Sequence, residues 1–433
     1  MSFLKVLGFD PAKHNVKTEI VAGITTFLTM AYILAVNPDI FSALEDMGMP
    51  KGAVFTATAL AAIVGTLVMS IYAKKPYALA PGLGLNAFFV YTVCLTMGYS
   101  WQFALTAVLI EGIIFIILTV TNVREAIINA IPKSMKSAVS AGIGLFIAFI
   151  GMVNAGIIVD DGGTIISLGT ITSGPALLAI VGLVITSVMM ILKVPGAMLI
   201  GIIVTAVIGI PFGITKFDGV VSSVPSVAPI FWKFEFHNIL SWDMLIVVFT
   251  FLFIDMFDTI GTVIGVSKKA NTMNPDGTIP GVKKVLMADA VATVWGAICG
   301  TSTTTTYVES ASGVAEGGRT GLTSFTVAIC FAIALFFAPV FLAIPSAATA
   351  PALILVGVMM MSSILDVDFN DFSECIPAYI CMIVMPLAYS ISDGIMLGMI
   401  SFVVLNALTG KFKKISVMMW ILAVLFILRY ILL

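Results

Sequence analysis

The chain has 433 residues, of which 60% are hydrophobic and 10% charged, and its formal net charge is −2. Soluble domains run to about 45–50% apolar and about 25% charged residues, and a compact soluble fold cannot hide this much apolar surface. The figures exclude a water-soluble globule, a disordered chain and a basic nucleic-acid-binding surface; lipid is the solvent for most of the protein.

In chain order, the first seventeen residues, MSFLKVLGFDPAKHNVK, are too polar for a cleavable signal peptide. A crossing helix needs about 20 mostly apolar residues. Fourteen segments are candidate spans: 18–38, 51–73, 83–97, 101–121, 137–154, 174–192, 196–213, 243–266, 284–300, 303–317, 321–342, 350–365, 374–390 and 393–410. A further apolar stretch, 416–433, follows the basic KFKK at 411–414. It is barely long enough to cross, so both a crossing and an inner-surface position are open. With the N-terminus in the cytoplasm and strict alternation, 17 of the 21 Lys and Arg residues fall on the cytoplasmic side. Only Lys51, Lys216 and Lys233 fall outside, with Arg429 undecided, which obeys the positive-inside rule.

Segments 83–97 and 303–317 are short, rich in Gly or Thr, and read as half-helices fed by extended backbone. They occupy matching places in two halves of seven spans. The Ile-Pro starts at 131 and 344 match as well. An odd number of spans makes the second half enter from the opposite side, so the repeats are inverted. Interrupted segments at matching places in inverted repeats point to a transporter binding site.

Five carboxylates lie deep inside the spans, away from their ends: Glu111, Asp255, Asp258, Asp289 and Glu309. No Lys or Arg lies in the interior of a core span. A membrane carboxylate costs about 2.5–3.5 kcal/mol even on the mild insertion scale. Without basic partners these groups fit a proton- or cation-coupled site better than an anion site, for which Arg or Lys would be expected. Asp255 and Asp258, three apart, share a helical face and resist simultaneous ionisation. Asn86 sits in the first broken segment where Glu309 sits in the second. Together with freed backbone groups, this set fits a planar neutral molecule with donors and acceptors on its edge. Phe88, Phe89, Phe251, Phe253 and Phe257 are available for stacking. Asp289 is read as facing Lys283 or Lys284, Asp393 as a helix N-terminal acid, and Glu316 with Arg319 as a salt bridge or gate contact. The five cysteines read as small buried hydrophobes, with no disulfide, metal or cofactor implied.

At these residues the chain resembles the adenine/guanine/hypoxanthine permeases, the AzgA-like branch of the nucleobase–cation symporters. The motifs are GITTFLTMAYILAVNP at 23–38, APGLGLNAFF at 80–89, FIDMFDTIGT at 253–262 and GTSTTTTYVESASGVAEGGRTGLTS at 300–324. The resemblance implies an all-α polytopic membrane protein of fourteen helices in two inverted repeats. Residues 18–121 and 243–342 would form a core domain, and 131–213 and 344–410 a gate domain. Short strands would precede helices 3 and 10. It also implies a purine bound by residues matching Asn86, Asp255, Asp258 and Glu309, with coupling to protons, elevator-like motion of the core, and a homodimer through the gate. In this reading Asp258 and Glu309 carry the coupling proton and hold the purine N–H edge, and Asn86 holds the carbonyl edge. That leans toward guanine and hypoxanthine over adenine.

Two alternatives stay open at this point. One is a carrier of the same fold for xanthine, uracil or an anion. The other is a membrane-embedded enzyme using Asp255 and Asp258 as an acid–base pair; the YD and GxGD signatures of an intramembrane aspartyl protease are absent from the sequence.

Overall fold

The computed structural model describes residues 3–121, 131–217, 219–237, 239–270, 272 and 279–432. Each of the fourteen expected spans contains helix. The first seven are α1 (Val16–Met30, resuming as Ile33–Phe41), α2 (Lys51–Val68), α3 (Leu83–Ala87, widening into a π-helix over Phe88–Thr96), α4 (Trp101–Thr121), α5 (Lys133–Asn154), α6 (Gly174–Ile191) and α7 (Ala197–Gly209). The second seven are α8 (Trp242–Lys269), α9 (Val282–Cys299), α10 (Ser310–Ala315), α11 (Gly321–Ala334), α12 (Ser346–Met361), α13 (Phe372–Leu387) and α14 (Ile391–Leu408). A last helix, α15 (Val417–Leu432), follows. Among the described residues, eight helices are long and apolar enough to cross a membrane by length and composition.

The two broken segments begin as strands, β1 (Leu79–Pro81) and, in the second half, β4 (Thr304–Thr306). They pair antiparallel, with Ala80 opposite Thr305. A surface hairpin, β2 (Ile158–Asp161) with β3 (Ile165–Leu168), follows α5. Non-helical backbone at membrane depth is tolerated only where protein buries it or a cavity lies beside it. Every residue of β1 and β4 is buried. The β-branched run Thr303–Thr306 favours extended backbone, and the hydroxyls of Thr303, Thr305 and Thr306 bond neighbouring buried polar groups. Gly300 closes α9 at φ +94°, and a Cβ there would lie 2.6 Å from the Ile230 carbonyl oxygen. Glycine is the residue for such a turn.

The packing repeats itself under exchange of the halves. α2 packs on α9, and α5 on α12, each against its own counterpart. α1 packs on α11 as α8 packs on α4; α4 meets α9 as α11 meets α2; α13 meets α5 as α6 meets α12. A pseudo-two-fold axis relating two inverted seven-helix repeats gives this pattern, and the β1–β4 pair obeys it too. Helices α1–α4 and α8–α11 gather around the strands, and α5–α7 and α12–α14 pack beside them. The α5–α12 crossing is close because it is glycine on glycine: a Cβ on Gly357 would lie 2.4 Å from the Gly144 carbonyl oxygen. Small residues bring membrane helices together where burial in lipid offers no hydrophobic gain.

α15 turns back along α14. Near its end, Arg429 Nη1 lies 3.3 Å from Asp393 Oδ1, and Tyr430 donates to the same oxygen at 2.6 Å. Asp393 belongs to the first turn of α14, so its helix-terminal position agrees with the sequence reading while its partners come from α15. Between the two helices, Lys411 and Lys414 pair with Asp371 at the head of α13. Hydrogen bonds from Lys414, Ser373 and Lys411 hold the Asp371 carboxyl well below the usual carboxylate range. The cysteines are free, and Cys94, Cys299, Cys375 and Cys381 are buried.

Candidate functional site

A cavity of about 400 Å³ lies between the two helical groups, within the range of small-molecule sites. One wall comes from α1, β1–α3, α8 and β4–α10, with Tyr32, Gly82, Gly84, Asp258, Thr262, Thr306, Tyr307 and Glu309. The facing wall comes from α5, α12 and the turn after α12, with Val139, Ser140, Ile143, Val356, Met359, Met360, Ser362 and Ser363. Both carboxylates are on the first wall. Among the described residues, no lysine or arginine lines it.

Glu309 heads α10, directly after the strand segment. The Tyr32 hydroxyl donates to Glu309 Oε1 at 2.6 Å. The Tyr307 hydroxyl donates to the Pro81 carbonyl at 2.5 Å, tying β4 to β1. Asp258 comes from α8 and lies within electrostatic reach of Glu309.

The four sequence candidates divide into two places. Asp258 and Glu309 line the cavity; Asp255 and Asn86 do not. A separation of three residues on a helix is about 300°, or about 60° short of a full turn. That offset suffices to aim Asp258 at the cavity while Asp255 meets buried hydroxyls. Asp255 Oδ1 accepts from Thr259 Oγ1 at 3.0 Å. Asn86 is fully buried in the first turns of α3, where its Oδ1 accepts from the Ser302 hydroxyl. Among the described residues its Nδ2 has no hydrogen-bond partner.

Asp289 differs from its expected lysine pairing. It is fully buried, and its Oδ1 accepts from Thr306 N at 2.9 Å and Thr306 Oγ1 at 3.0 Å. Its Oδ2 lies 3.0 Å from Thr259 Oγ1. Asp289 therefore anchors β4 to α9, while Lys283 donates instead to the Val120 carbonyl. Glu111 on α4 accepts from Thr303 Oγ1 at 2.6 Å, a second anchor for the same strand segment. Among the described residues Glu316 and Arg319 form no ion pair; the Arg319 guanidinium caps the Val314 and Gly318 carbonyls.

Of the phenylalanines available for stacking, Phe88, Phe89, Phe251 and Phe253 are packing residues, the commoner role of phenylalanine in a membrane helix. Phe88 and Phe251 meet edge to face at 4.8 Å, Phe89 packs on Phe41, and none of these lines the cavity. Phe253 is also away from it, and the Phe257 side chain lies outside the described set. Among the described residues, the aromatic side chains at the cavity are Tyr32 and Tyr307. Sequence reasoning also passed over two buried carboxylates near the ends of α1. Glu19 accepts from Arg319 N and Thr320 N at the head of α11. Asp39 accepts from Ser346 and Thr349 on α12 at 2.8 and 2.6 Å. Both look like interfacial residues on hydropathy alone; their burial comes from neighbours distant in sequence.

A sequence model of the Permease family matches residues 17–397. The chain is 46% identical over 433 residues to the guanine/hypoxanthine permease PbuG of Bacillus subtilis, covering 98% of each protein. It is 40% identical over 418 residues to the adenine permease AdeQ of Escherichia coli, covering 96% of this chain and 94% of that one. Among solved structures, the transmembrane domain of the cyanobacterial bicarbonate transporter BicA superposes with a TM-score of 0.67 at 16% identity. That match covers 89% of this chain and 97% of the other, a likeness of fold alone. Fold, interrupted strand pair and full-length identity agree: the chain belongs to the Permease family and is a multi-pass membrane transporter, not an enzyme.

Proposed function

We propose that the protein is a purine nucleobase permease that takes up guanine, hypoxanthine or adenine by proton-coupled symport. The observation that carries this reading is the pair Asp258 and Glu309 on one wall of a cavity that no cation lines among the described residues. Carboxylate oxygens accept hydrogen bonds, so the wall suits a neutral ring presenting N–H groups. A bicarbonate-like anion would meet two acids and no base, which speaks against an anion carrier on the same fold. The relatives named for guanine, hypoxanthine and adenine support the substrate class.

In this mechanism, α1–α4 and α8–α11 are the moving core, and α5–α7 and α12–α14 the gate. All the carboxylates at the cavity belong to the core, and the gate contributes apolar side chains and three serines. A substrate held by the core can then slide past the gate without exchanging its main polar contacts. Asp258 and Glu309 take the ring N–H groups. The first-turn N–H groups of α3 serve the carbonyl edge, with Asn86 behind them holding the Ser302 hydroxyl, and Asp255 supports α8 behind Asp258. A proton carried on Asp258 or Glu309 brings the loaded core closer to neutral and lowers the cost of moving it through lipid-facing surroundings. The N-terminus is cytoplasmic, and two copies associate through their gates.

The test is radiolabelled purine uptake in a transport-deficient host, with competition by adenine, guanine, hypoxanthine, xanthine and uracil. Glu309→Gln and Asp258→Asn are expected to abolish uptake with the protein still in the membrane. Unchanged hypoxanthine uptake in either variant would sink the site. Collapse of the proton gradient with a protonophore is expected to lower uptake, and insensitivity would mean facilitated diffusion.

A further inference from the structure

The geometry points to Tyr32 as a positioning residue for Glu309, and through it as a selector for the donor-bearing edge of the base. This inference rests on the purine reading above and deepens it. Tyr32 lies at the interruption of α1, between the stretches ending at Met30 and restarting at Ile33. It is 2% exposed, and its hydroxyl reaches Glu309 Oε1 at 2.6 Å across 277 residues of sequence. A second contact fixes the same junction. Thr29 Oγ1 lies 2.9 Å from Ser312 Oγ, and Ser312 donates to the Glu309 carbonyl at 2.6 Å. Glu309 is thus held at its main chain by Ser312 and at its side chain by Tyr32.

A phenol has one proton to give. With that proton on Oε1, the second Glu309 oxygen is the acceptor left for a ligand. With its proton given to Glu309, the Tyr32 oxygen faces the cavity only as an acceptor. The Tyr32–Glu309 junction therefore presents its acceptors in a fixed arrangement. They discriminate by the number and spacing of ring N–H groups. Guanine carries N1–H beside a 2-amino group, hypoxanthine carries N1–H alone, and adenine lacks N1–H. Sites built to pair a substrate N–H reject analogues that lack it far more strongly than apolar pockets reject a missing methylene. A Glu309 side chain free to rotate would lose that discrimination.

The test is Tyr32→Phe, which keeps the ring and removes only the hydroxyl. Uptake kinetics for guanine, hypoxanthine, adenine and 1-methylguanine are measured alongside the amount of protein in the membrane and its melting temperature in detergent. The expected result is a KM for guanine raised about ten-fold or more, with Vmax per protein within about two-fold. The guanine-to-adenine preference should shrink. A purely structural role predicts lower protein amount, Vmax and melting temperature with KM and preference unchanged, and that result overturns the proposal. So does wild-type behaviour in the variant. Should the wild-type protein fail to take up any purine, the functional reading itself falls, an outcome separate from both.

Discussion

At the scale of single residues, the buried acids do two different jobs. Asp258 and Glu309 border open space, whereas Asp289 and Glu111 hold the strand segment through Thr306 and Thr303. This separation yields a prediction. Asp289→Ala leaves the Thr306 N–H and hydroxyl buried without their acceptor, and breaking such charge-assisted bonds costs about 3 kcal/mol. A melting temperature lowered by several degrees in detergent, with less protein in the membrane, is the expected outcome. A variant as stable as the parent would remove Asp289 from the scaffold role. Five membrane carboxylates were legible in the sequence because charge in an apolar segment stands out. Which of them face the cavity was not, because a 60° offset between Asp255 and Asp258 decides it. Tyr32 was silent for a different reason: an aromatic residue inside an apolar helix carries no pattern until Glu309 is brought to it.

At the scale of elements, the half-helices were legible and their pairing was not. Segments 83–97 and 303–317 were read as half-helices fed by extended backbone; β1 lies just before the first, whereas β4 falls within the second, whose helix begins only at Ser310. The antiparallel partnership between them spans more than 200 residues, which local propensity cannot encode. The same holds for Asp39 at the end of α1. It joins the group around the strands to α12, through Ser346 and Thr349, and lies 3.5 Å from Lys51 Nζ. In the elevator motion proposed above, contacts across that boundary would have to change. Asp39→Asn is therefore expected to loosen this end of the molecule. A cysteine at Ser346 should react several-fold faster with a membrane-impermeant maleimide in the Asp39→Asn background. Identical labelling rates in the two backgrounds would mean that Asp39 does not restrain the movement.

At the scale of the whole molecule, the alternation of Lys and Arg already implied fourteen crossings, and the exchange symmetry of the packing supports the same count. One cation, Arg429, stood outside that alternation. Its pairing with Asp393 places it against the opening turn of α14, while α15 begins beside the closing turn of that helix, next to the KFKK run. We read α15, which folds back along the length of α14, as a fifteenth passage; with the N-terminus cytoplasmic as proposed above, the end of α15 would lie on the outer face. Alkaline phosphatase fused to the C-terminus should then be active on whole cells, while a green fluorescent protein fused there stays dark. A bright fluorescent fusion with inactive phosphatase would mean that α15 turns back before crossing. The tail becomes, on this account, an address label readable from outside the cell, and affinity tags or antibodies directed to it would reach the transporter without breaking the membrane.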